Sequence, residues 1–177
     1  MKARILVWLV ALFCCHNASF AQKEFVNTSV RLSGHPRILL QKGEEKALKK
    51  VIMKDAVWKD IHQSLVDEAG EIVKLPLNER IKTGRRLLSV SRENLRRIFI
   101  LSYAYRMTGK SEFLKRAESE MLKAASFSDW NPSHFLDVGE MTMALAIGYD
   151  WLYPQLSVQT KREIENAIVE KGLKPSF

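Results

Sequence analysis

The sequence predicts an all-α protein, and two observations support that prediction. Apolar residues recur at intervals of three or four in six separate segments, the spacing that places them on one face of a helix. No alternating, strand-like pattern runs longer than residues 37–40. Glycine and proline number only 8 and 5 among the 177 residues, so few helix breakers interrupt these segments.

The N-terminus, residues 1–21, has the features of a secretory signal peptide. Lys2 and Arg4 supply its positive charge, an apolar core spans residues 5–15, and residues 19–21 offer small side chains to a signal peptidase. We expect cleavage after residue 21 and therefore a periplasmic or secreted product. An uncleaved membrane anchor is the alternative.

Cleavage would change what chemistry the chain can carry. Both cysteines, Cys14 and Cys15, would be lost, and with them any disulfide, thiol nucleophile or cysteine metal site. The loss of two positive charges would lower the formal net charge from +8 to +6. A basic exported chain suits an acidic partner such as an anionic polysaccharide, although a charge of this size also serves solubility alone.

We expect neither stable membrane insertion nor nucleic-acid binding of the mature chain. No second apolar run reaches membrane-spanning length without charges, so we predict no stable membrane insertion after signal cleavage. The chain also lacks any nucleic-acid recognition motif, and nucleic acid is an improbable partner for an exported protein.

Residues 22–36 are predicted to form an extended lead-in that closes with Gly34, His35 and Pro36. The remainder, 37–177, is predicted to be one helical domain. Short connections between its helices predict three antiparallel hairpins. The apolar positions that define the six helices are Leu48, Val51 and Ile52; Trp58, Ile61, Leu65, Ala69 and Ile72; Leu95, Ile98, Phe99, Ser102 and Tyr105; Phe113, Leu114, Ala117, Met121 and Ala124; most of 132–153; and Ile164, Ala167 and Ile168.

Two charge pairs indicate which helix faces meet water. Glu93 and Arg97 in the third helix, and Glu112 and Arg116 in the fourth, have the i,i+4 spacing of surface ion pairs. We therefore expect these pairs on exposed faces.

The fifth helix, over 132–153, is apolar almost all the way round. Its strongly polar residues from 135 onward are Asp137, Glu140, Thr142 and Asp150. A helix without a polar face is expected to be buried on all sides, so we predict an inner helix surrounded by others. A complete arrangement would cover side chains such as Phe135, Met141, Met143, Ile147 and Trp151, whereas a chain with too few helices around this one would leave several of them exposed.

The start of this helix supplies the candidate site. Asn131 is predicted as the N-cap and Pro132 as the first helical residue. His134 would then lie among free backbone N–H groups at the positive end of the helix dipole, which attracts anions such as a sugar carboxylate or sulfate. Asp137 could orient the imidazole, and Trp130 could stack on a sugar ring. The simpler interpretation is a helix start that binds nothing.

Glu140 belongs to the same candidate binding site. Paired with Asp137 or His134 it would resemble an acid–base or metal pair, but no partner is identifiable elsewhere, so we predict no metal site. Nucleophile-elbow, phosphate-loop, dinucleotide and HExxH motifs are absent from the sequence. No catalytic residue and no cofactor are predicted.

A basic run precedes this site in the chain. Between residues 80 and 97, seven basic residues accompany one acid, Glu93. Such a run is typical of a solvated face, and an electrostatic surface for a polyanion is the alternative. The basic residues are Arg80, Lys82, Arg85, Arg86, Arg92, Arg96 and Arg97.

Three stretches of the sequence resemble a known family. They are HPRILL at 35–40, RRLLSVSRENLRRIFILSYAYRMTGKSEFLKRAESEML at 85–122, and FSDWNPSHFLDVGEMTMALAIGYDWLYPQLS at 127–157. Their order, spacing and aromatic positions resemble the N-terminal region of the heparinase II/III-like polysaccharide lyases. The likeness covers most of the predicted mature chain.

The resemblance implies a partial (α/α)6 toroid made of antiparallel helical hairpins, followed in full-length members by a β-sandwich. Lyases of this family cleave uronic-acid-containing polysaccharides, such as heparin, heparan sulfate or alginate, by β-elimination. The uronate carboxylate is neutralised, a base removes the C5 proton, and an acid protonates the leaving oxygen.

The family's catalytic groups lie further along the toroid than the sequence at hand extends. The resemblance therefore implies an N-terminal fragment of an exported lyase, truncated before its catalytic residues. The alternatives are a non-catalytic helical module that binds anionic glycans and an inactive remnant.

Overall fold

The computed structural model describes residues 34–177. The predicted signal peptide over 1–21 and residues 22–33 of the predicted lead-in lie outside the described residues. Over 34–177 the structure is all-α, with six α-helices and no strand, which confirms the predicted fold class. The helices are α1 (Glu45–Lys54), α2 (Ala56–Lys74), α3 (Leu88–Thr108), α4 (Ser111–Ala125), α5 (Phe135–Leu152) and α6 (Val158–Ala167). A π-helical turn (Ile168–Leu173) and a 3-10 turn (Lys174–Ser176) follow α6.

Helices α3 and α5 lie side by side and run in the same direction. Near their starts, the backbone N–H of Leu87 donates to the carboxylate of Asp137 across 2.6 Å. Towards their ends, the rings of Phe99 and Trp151 lie 5.0 Å apart. Because the connection from α3 to α4 is only two residues long, α4 turns back antiparallel to α3.

Helices α2, α4 and α6 pack alongside this pair and are parallel to one another. Arg116 of α4 donates to the carbonyl of Val73 in α2 across 2.9 Å. On its other side, Glu118 of α4 accepts from the hydroxyl of Thr160 in α6 across 2.6 Å. The helices therefore form hairpins placed next to one another, as the short connections predict.

One close approach holds α5 against both α3 and α4. A Cβ atom built on Gly148 would lie 2.5 Å from Cγ2 of Ile98 and 2.6 Å from Sδ of Met121. Any larger residue at 148 would force these helices apart, so the glycine permits the contact.

Within residues 34–177, α5 is covered on all sides except one face, so the other five helices do not wrap it completely. Met141, Ile147 and Trp151 are buried, as expected. Leu136 and Met143, however, are 52% and 51% exposed within the described structure, and Phe135, next to Leu136, is 47% exposed. These three side chains form an open face on α5 that we call the α5 stripe.

The prediction that both charge pairs lie on exposed faces is wrong, because the arginine of each pair is largely buried. Arg97 does pair with Glu93 across 2.6 Å, but its side chain is only 8% exposed. Arg97 and Arg116 converge on the fully buried Glu120, at 3.1 and 2.7 Å. Both guanidinium groups also donate to the carbonyl oxygen of Pro76, so the loop that follows α2 supplies an acceptor that helix spacing alone does not reveal.

Asp150 anchors the first described residues at the C-terminal end of α5. Its buried carboxylate pairs with Nδ1 of His35 at 2.6 Å and accepts from the backbone N–H groups of Arg37 and Ile38, each at 2.9 Å. The His35 ring also stacks on Tyr153 at a centroid distance of 4.0 Å. These contacts fix residues 35–38 on the helical body.

Candidate functional site

The chain enters α5 by a route that differs from the predicted one. The helix begins at Phe135 with His134 in the N-cap position, so Asn131 is not the N-cap and Pro132 is not a helical residue. Asn131 has a left-handed backbone, with φ of 60°, which asparagine tolerates better than most residues. Its side chain donates instead to the carbonyl oxygen of Arg85 at 2.9 Å and to Asp137 at 2.6 Å.

Asp137 is the centre of this arrangement. Its side chain is fully buried, and its carboxylate accepts from the backbone N–H of Leu87, from Asn131 and from His134. Burial by itself would raise the pKa of Asp137, but the hydrogen bonds from Asn131, Leu87 and His134 outweigh burial and hold that pKa below its usual value. Asp137 is therefore a carboxylate at neutral pH.

The carboxylate fixes the imidazole of His134. Nδ1 of His134 donates to Asp137 across 2.8 Å, which leaves Nε2 as the second ring nitrogen, and no described residue bonds to it. The His134 side chain is 29% exposed, so an external group can reach it. The orienting role predicted for Asp137 matches this geometry.

Trp130 does not belong to the surface of the site. Its exposed fraction is zero, and its ring nitrogen donates to the carbonyl of Ala124 across 3.0 Å. A ring without an exposed face cannot stack on a sugar, so the structure contradicts that expectation. The aromatic side chain exposed beside His134 is Phe135.

Glu140 lies about one turn along α5 and pairs with Arg92 of α3 across 3.0 Å. One of its carboxylate oxygens, Oε2, is buried and has no partner within the described part of the chain. No hydrogen bond joins Glu140 to His134 or Asp137 there, so the structure does not assemble an acid–base pair from them. Residues 34–177 also contain no group of three or more potential metal ligands.

The basic run divides into paired and unpaired residues. Arg80, Arg92, Arg96 and Arg97 all pair with acids, as part of the helix packing. The remaining three residues, Lys82, Arg85 and Arg86, are exposed and have no acidic partner within 34–177. We call these three residues the basic turn.

The basic turn has a fixed position beside the start of α5. Backbone hydrogen bonds between Thr83 and Arg86, at 2.9 and 3.2 Å, close the turn. Gly84 takes a left-handed backbone with φ of 60°, which costs glycine little. Asn131 binds the carbonyl of the turn's Arg85, and Asp137 binds the residue that follows the turn, Leu87.

A scan against models of protein families finds no match to this chain, and a search of curated proteins finds none either. Within residues 34–177, no helix is both long enough and apolar enough to cross a bilayer.

The groups gathered at the start of α5 are suited to binding an acidic, partly apolar chain. The basic turn supplies three cations, and His134 supplies a ring nitrogen that faces no internal partner. Phe135 adds an exposed aromatic surface that can cover the apolar side of a sugar ring.

Proposed function

We propose that this chain is the N-terminal portion of an exported polysaccharide lyase of the heparinase II/III-like type. Its reaction would be β-elimination on uronic-acid-containing polysaccharides such as heparin, heparan sulfate or alginate. In this proposal the described residues bind the anionic glycan, and the catalytic base and acid belong to a later part of the full-length enzyme. The observation that carries the proposal is the solvent-reachable imidazole of His134 beside the unpaired basic turn.

The arrangement of the helices supports a toroid. In an (α/α)6 toroid, successive hairpins stand side by side, with the inner helices parallel to one another and the outer helices antiparallel to them. Helices α3 and α5 are parallel here, and α2, α4 and α6 form a second parallel set. The α5 stripe fits a position against which further inner helices would pack.

The chemistry of β-elimination supports the choice of ligand. The uronate carboxylate must be neutralised before its neighbouring C5 proton becomes acidic enough to remove, and preorganised cations do this well. Arg85 and Arg86 can hold a carboxylate or sulfate with two N–H groups each. His134 can then contact an adjacent hydroxyl or acidic group through Nε2.

Retention on immobilised heparin and alginate tests this proposal. The variant Lys82→Gln/Arg85→Gln/Arg86→Gln removes the basic turn, and we expect roughly a tenfold or greater loss of affinity and elution at lower salt. The matched control Lys42→Gln/Lys115→Gln/Arg162→Gln removes the same charge from exposed positions elsewhere and should elute with the parent. Equal loss in both variants would show that net charge alone drives retention and would contradict the site.

A second measurement separates the binding role from catalysis. We expect no unsaturated uronate product from this chain with any uronate polymer, because the resemblance implies that the family's catalytic groups lie further along the toroid than the described residues. Reproducible product formation would overturn the assignment of the catalytic groups to a later part of the enzyme. Failure to melt cooperatively would instead favour the inactive remnant.

A further inference from the structure

The hairpin of α1 and α2 carries a second surface, which the glycan proposal does not use. Five large apolar side chains lie exposed on it, and Met53 and Val57 are the most open, at 76% and 66%. Val51 lies two positions before Met53 and therefore faces another side of α1. We call the other four, Met53, Val57, Trp58 and Ile61, the α1–α2 apolar surface.

Part of this surface continues a core-facing stripe. Along α2, Ala69 and Ile72 are 0% and 1% exposed, as expected for the apolar face of a packed helix. Trp58 and Ile61 precede them at helical spacing but remain 47% and 46% exposed. The stripe is thus covered only in its second half, and its first half is available to a partner.

Five lysines are interspersed with the apolar residues along α1 and the first turn of α2. All five are exposed, and none pairs with an acid among the residues that the structure describes. Two nearby acids are already engaged: Asp55 caps α2 through the backbone N–H groups of Val57 and Trp58, and Glu45 binds Arg106. Asp60 is exposed in the first turns of α2, and the exposed acids Asp67 and Glu71 lie further along that helix. The lysines are Lys46, Lys49, Lys50, Lys54 and Lys59.

We propose that the α1–α2 apolar surface docks reversibly on an anionic lipid surface. Met53, Val57 and Trp58 would enter the boundary between headgroups and acyl chains, where tryptophan is favoured. The interspersed lysines would pair with lipid phosphates. The docking is peripheral, because none of the described helices is suited to crossing the bilayer.

The composition of the surface distinguishes this partner from three others. Aliphatic side chains such as Val57 and Ile61 gain little from a hydroxylated polysaccharide but gain from contact with acyl chains. Two copies of this chain would bring their lysines face to face, which like-charge repulsion opposes. Lysine is also depleted in protein–protein interfaces, so a protein neighbour fits the lysine-free α5 stripe better than it fits this hairpin.

Co-sedimentation with lipid vesicles tests the proposal. Vesicles of zwitterionic phospholipid are compared with vesicles that also contain an anionic phospholipid, and protein purified after export is used throughout. All variants must share one N-terminus, checked by mass spectrometry, so that any contribution from residues 1–21 is constant. We expect the parent chain to bind the anionic vesicles and to be released by salt.

Two variants separate the apolar and cationic contributions. Met53→Ser/Val57→Ser removes the most exposed apolar groups, and Lys49→Gln/Lys50→Gln/Lys54→Gln removes three lysines. Each should lower partitioning onto anionic vesicles at least about tenfold while leaving the thermal unfolding curve unchanged, because the altered side chains are exposed. Val158→Ser, at a site 65% exposed on α6, is the control for the first variant and should bind like the parent.

The basic-turn variant is the control for the lysine variant, and it makes this proposal independent of the glycan site. It should lose retention on heparin but keep vesicle binding, and the α1 lysine variant should show the reverse. Vesicle binding that is insensitive to Met53→Ser/Val57→Ser would overturn the proposal. A third outcome would identify a glycan surface instead. In that outcome the parent does not bind vesicles, and the α1 lysine variant loses retention on heparin. Self-association abolished by Met53→Ser/Val57→Ser would identify an interface between copies.

Discussion

At the scale of single residues, two buried carboxylates connect α5 to distant parts of the chain. Asp137 holds Leu87 and His134 at one end of the helix, and Asp150 holds His35 and Arg37 at the other. Each carboxylate accepts backbone N–H groups that would otherwise be buried without partners, which is costly. In the sequence, both residues are merely polar interruptions of an apolar segment.

The variant Asp137→Asn should lower the free energy of unfolding by roughly 1–3 kcal/mol near neutral pH. An amide cannot accept from Leu87, Asn131 and His134 together, and its own N–H groups would face other donors. Because the folded pKa of Asp137 lies below its unfolded value of 3.8, the stabilisation is complete above that pH and is lost as pH falls through the folded pKa.

Thermal melts of Asp137→Asn near neutral pH and near about pH 3 provide the measurement. The difference in melting temperature between the parent and Asp137→Asn should be smaller at the acidic pH. Glu112→Gln, at an exposed acid that forms no ion pair within the described residues, is the control and should show no such difference at either pH. A difference in melting temperature that grows at the acidic pH would contradict the depressed pKa of Asp137.

Glu93 makes a second pH prediction. The hydrogen bond from Arg96 opposes the effect of burial and, with Arg97, lowers the pKa of Glu93 from 4.5 to about 2. The stabilisation from Glu93 should therefore persist above about pH 4.5 and disappear between that pH and about 2. The free energy of unfolding of Glu93→Gln is compared with that of the parent across this pH range, and the difference should shrink as pH falls. A difference that stays constant with pH would contradict the prediction.

At the scale of elements, the packing of α5 against α3 and α4 depends on the absence of one side chain. Gly148 lies in the middle of α5, where glycine is a poor helix former. The sequence alone makes Gly148 look like Gly139, another glycine within the same helix. The structure separates them, because nothing lies within 4 Å of a Cβ built on Gly139.

The variants Gly148→Ala and Gly139→Ala should change stability in opposite directions. A methyl group at 148 would meet Ile98 Cγ2, which belongs to a branched side chain that moves little within a helix, and overpacking of this kind costs about 1–3 kcal/mol. At 139 the methyl group meets nothing, and helix propensity should stabilise the protein by about 0.5–1 kcal/mol. Urea unfolding measures both variants, and equal effects would mean that the helices do not approach as described.

At the scale of the whole molecule, the surface contains three regions with different chemistry. The basic turn is cationic and lies beside His134, the α1–α2 apolar surface is interspersed with lysine, and the α5 stripe is apolar without lysine. We propose a different occupant for each: an anionic glycan, an anionic lipid surface and a further part of the toroid. The lipid proposal concerns a different surface from the other two, which both belong to the proposed lyase.

The double variant Leu136→Gln/Met143→Gln tests whether the α5 stripe is open. Since both side chains are half exposed, the free energy of unfolding should change by no more than about 0.5 kcal/mol per site. The comparison variant is Leu145→Ala, at a fully buried position on the same helix, which should cost about 2–5 kcal/mol. A large loss in the double variant would show that the stripe is covered in solution.

Features encoded by neighbouring residues could be predicted from the sequence. The six helices follow from apolar spacing, and the contact between His134 and Asp137 follows from their separation of three residues. Both depend on the geometry of one or two helical turns. The sequence therefore determined the fold class and the central pair of the candidate site.

Contacts between distant residues were decided only by the tertiary structure. Leu87 and Asp137 are 50 positions apart, and Arg85 and Asn131 are 46 positions apart, so no local pattern indicates that these pairs meet. The burial of Trp130 and the exposure of Phe135 likewise depend on which helices pack nearby. Helical periodicity is a property of the local backbone, whereas burial and partner choice are properties of the assembled packing, which is why the first could be derived from the sequence and the second could not.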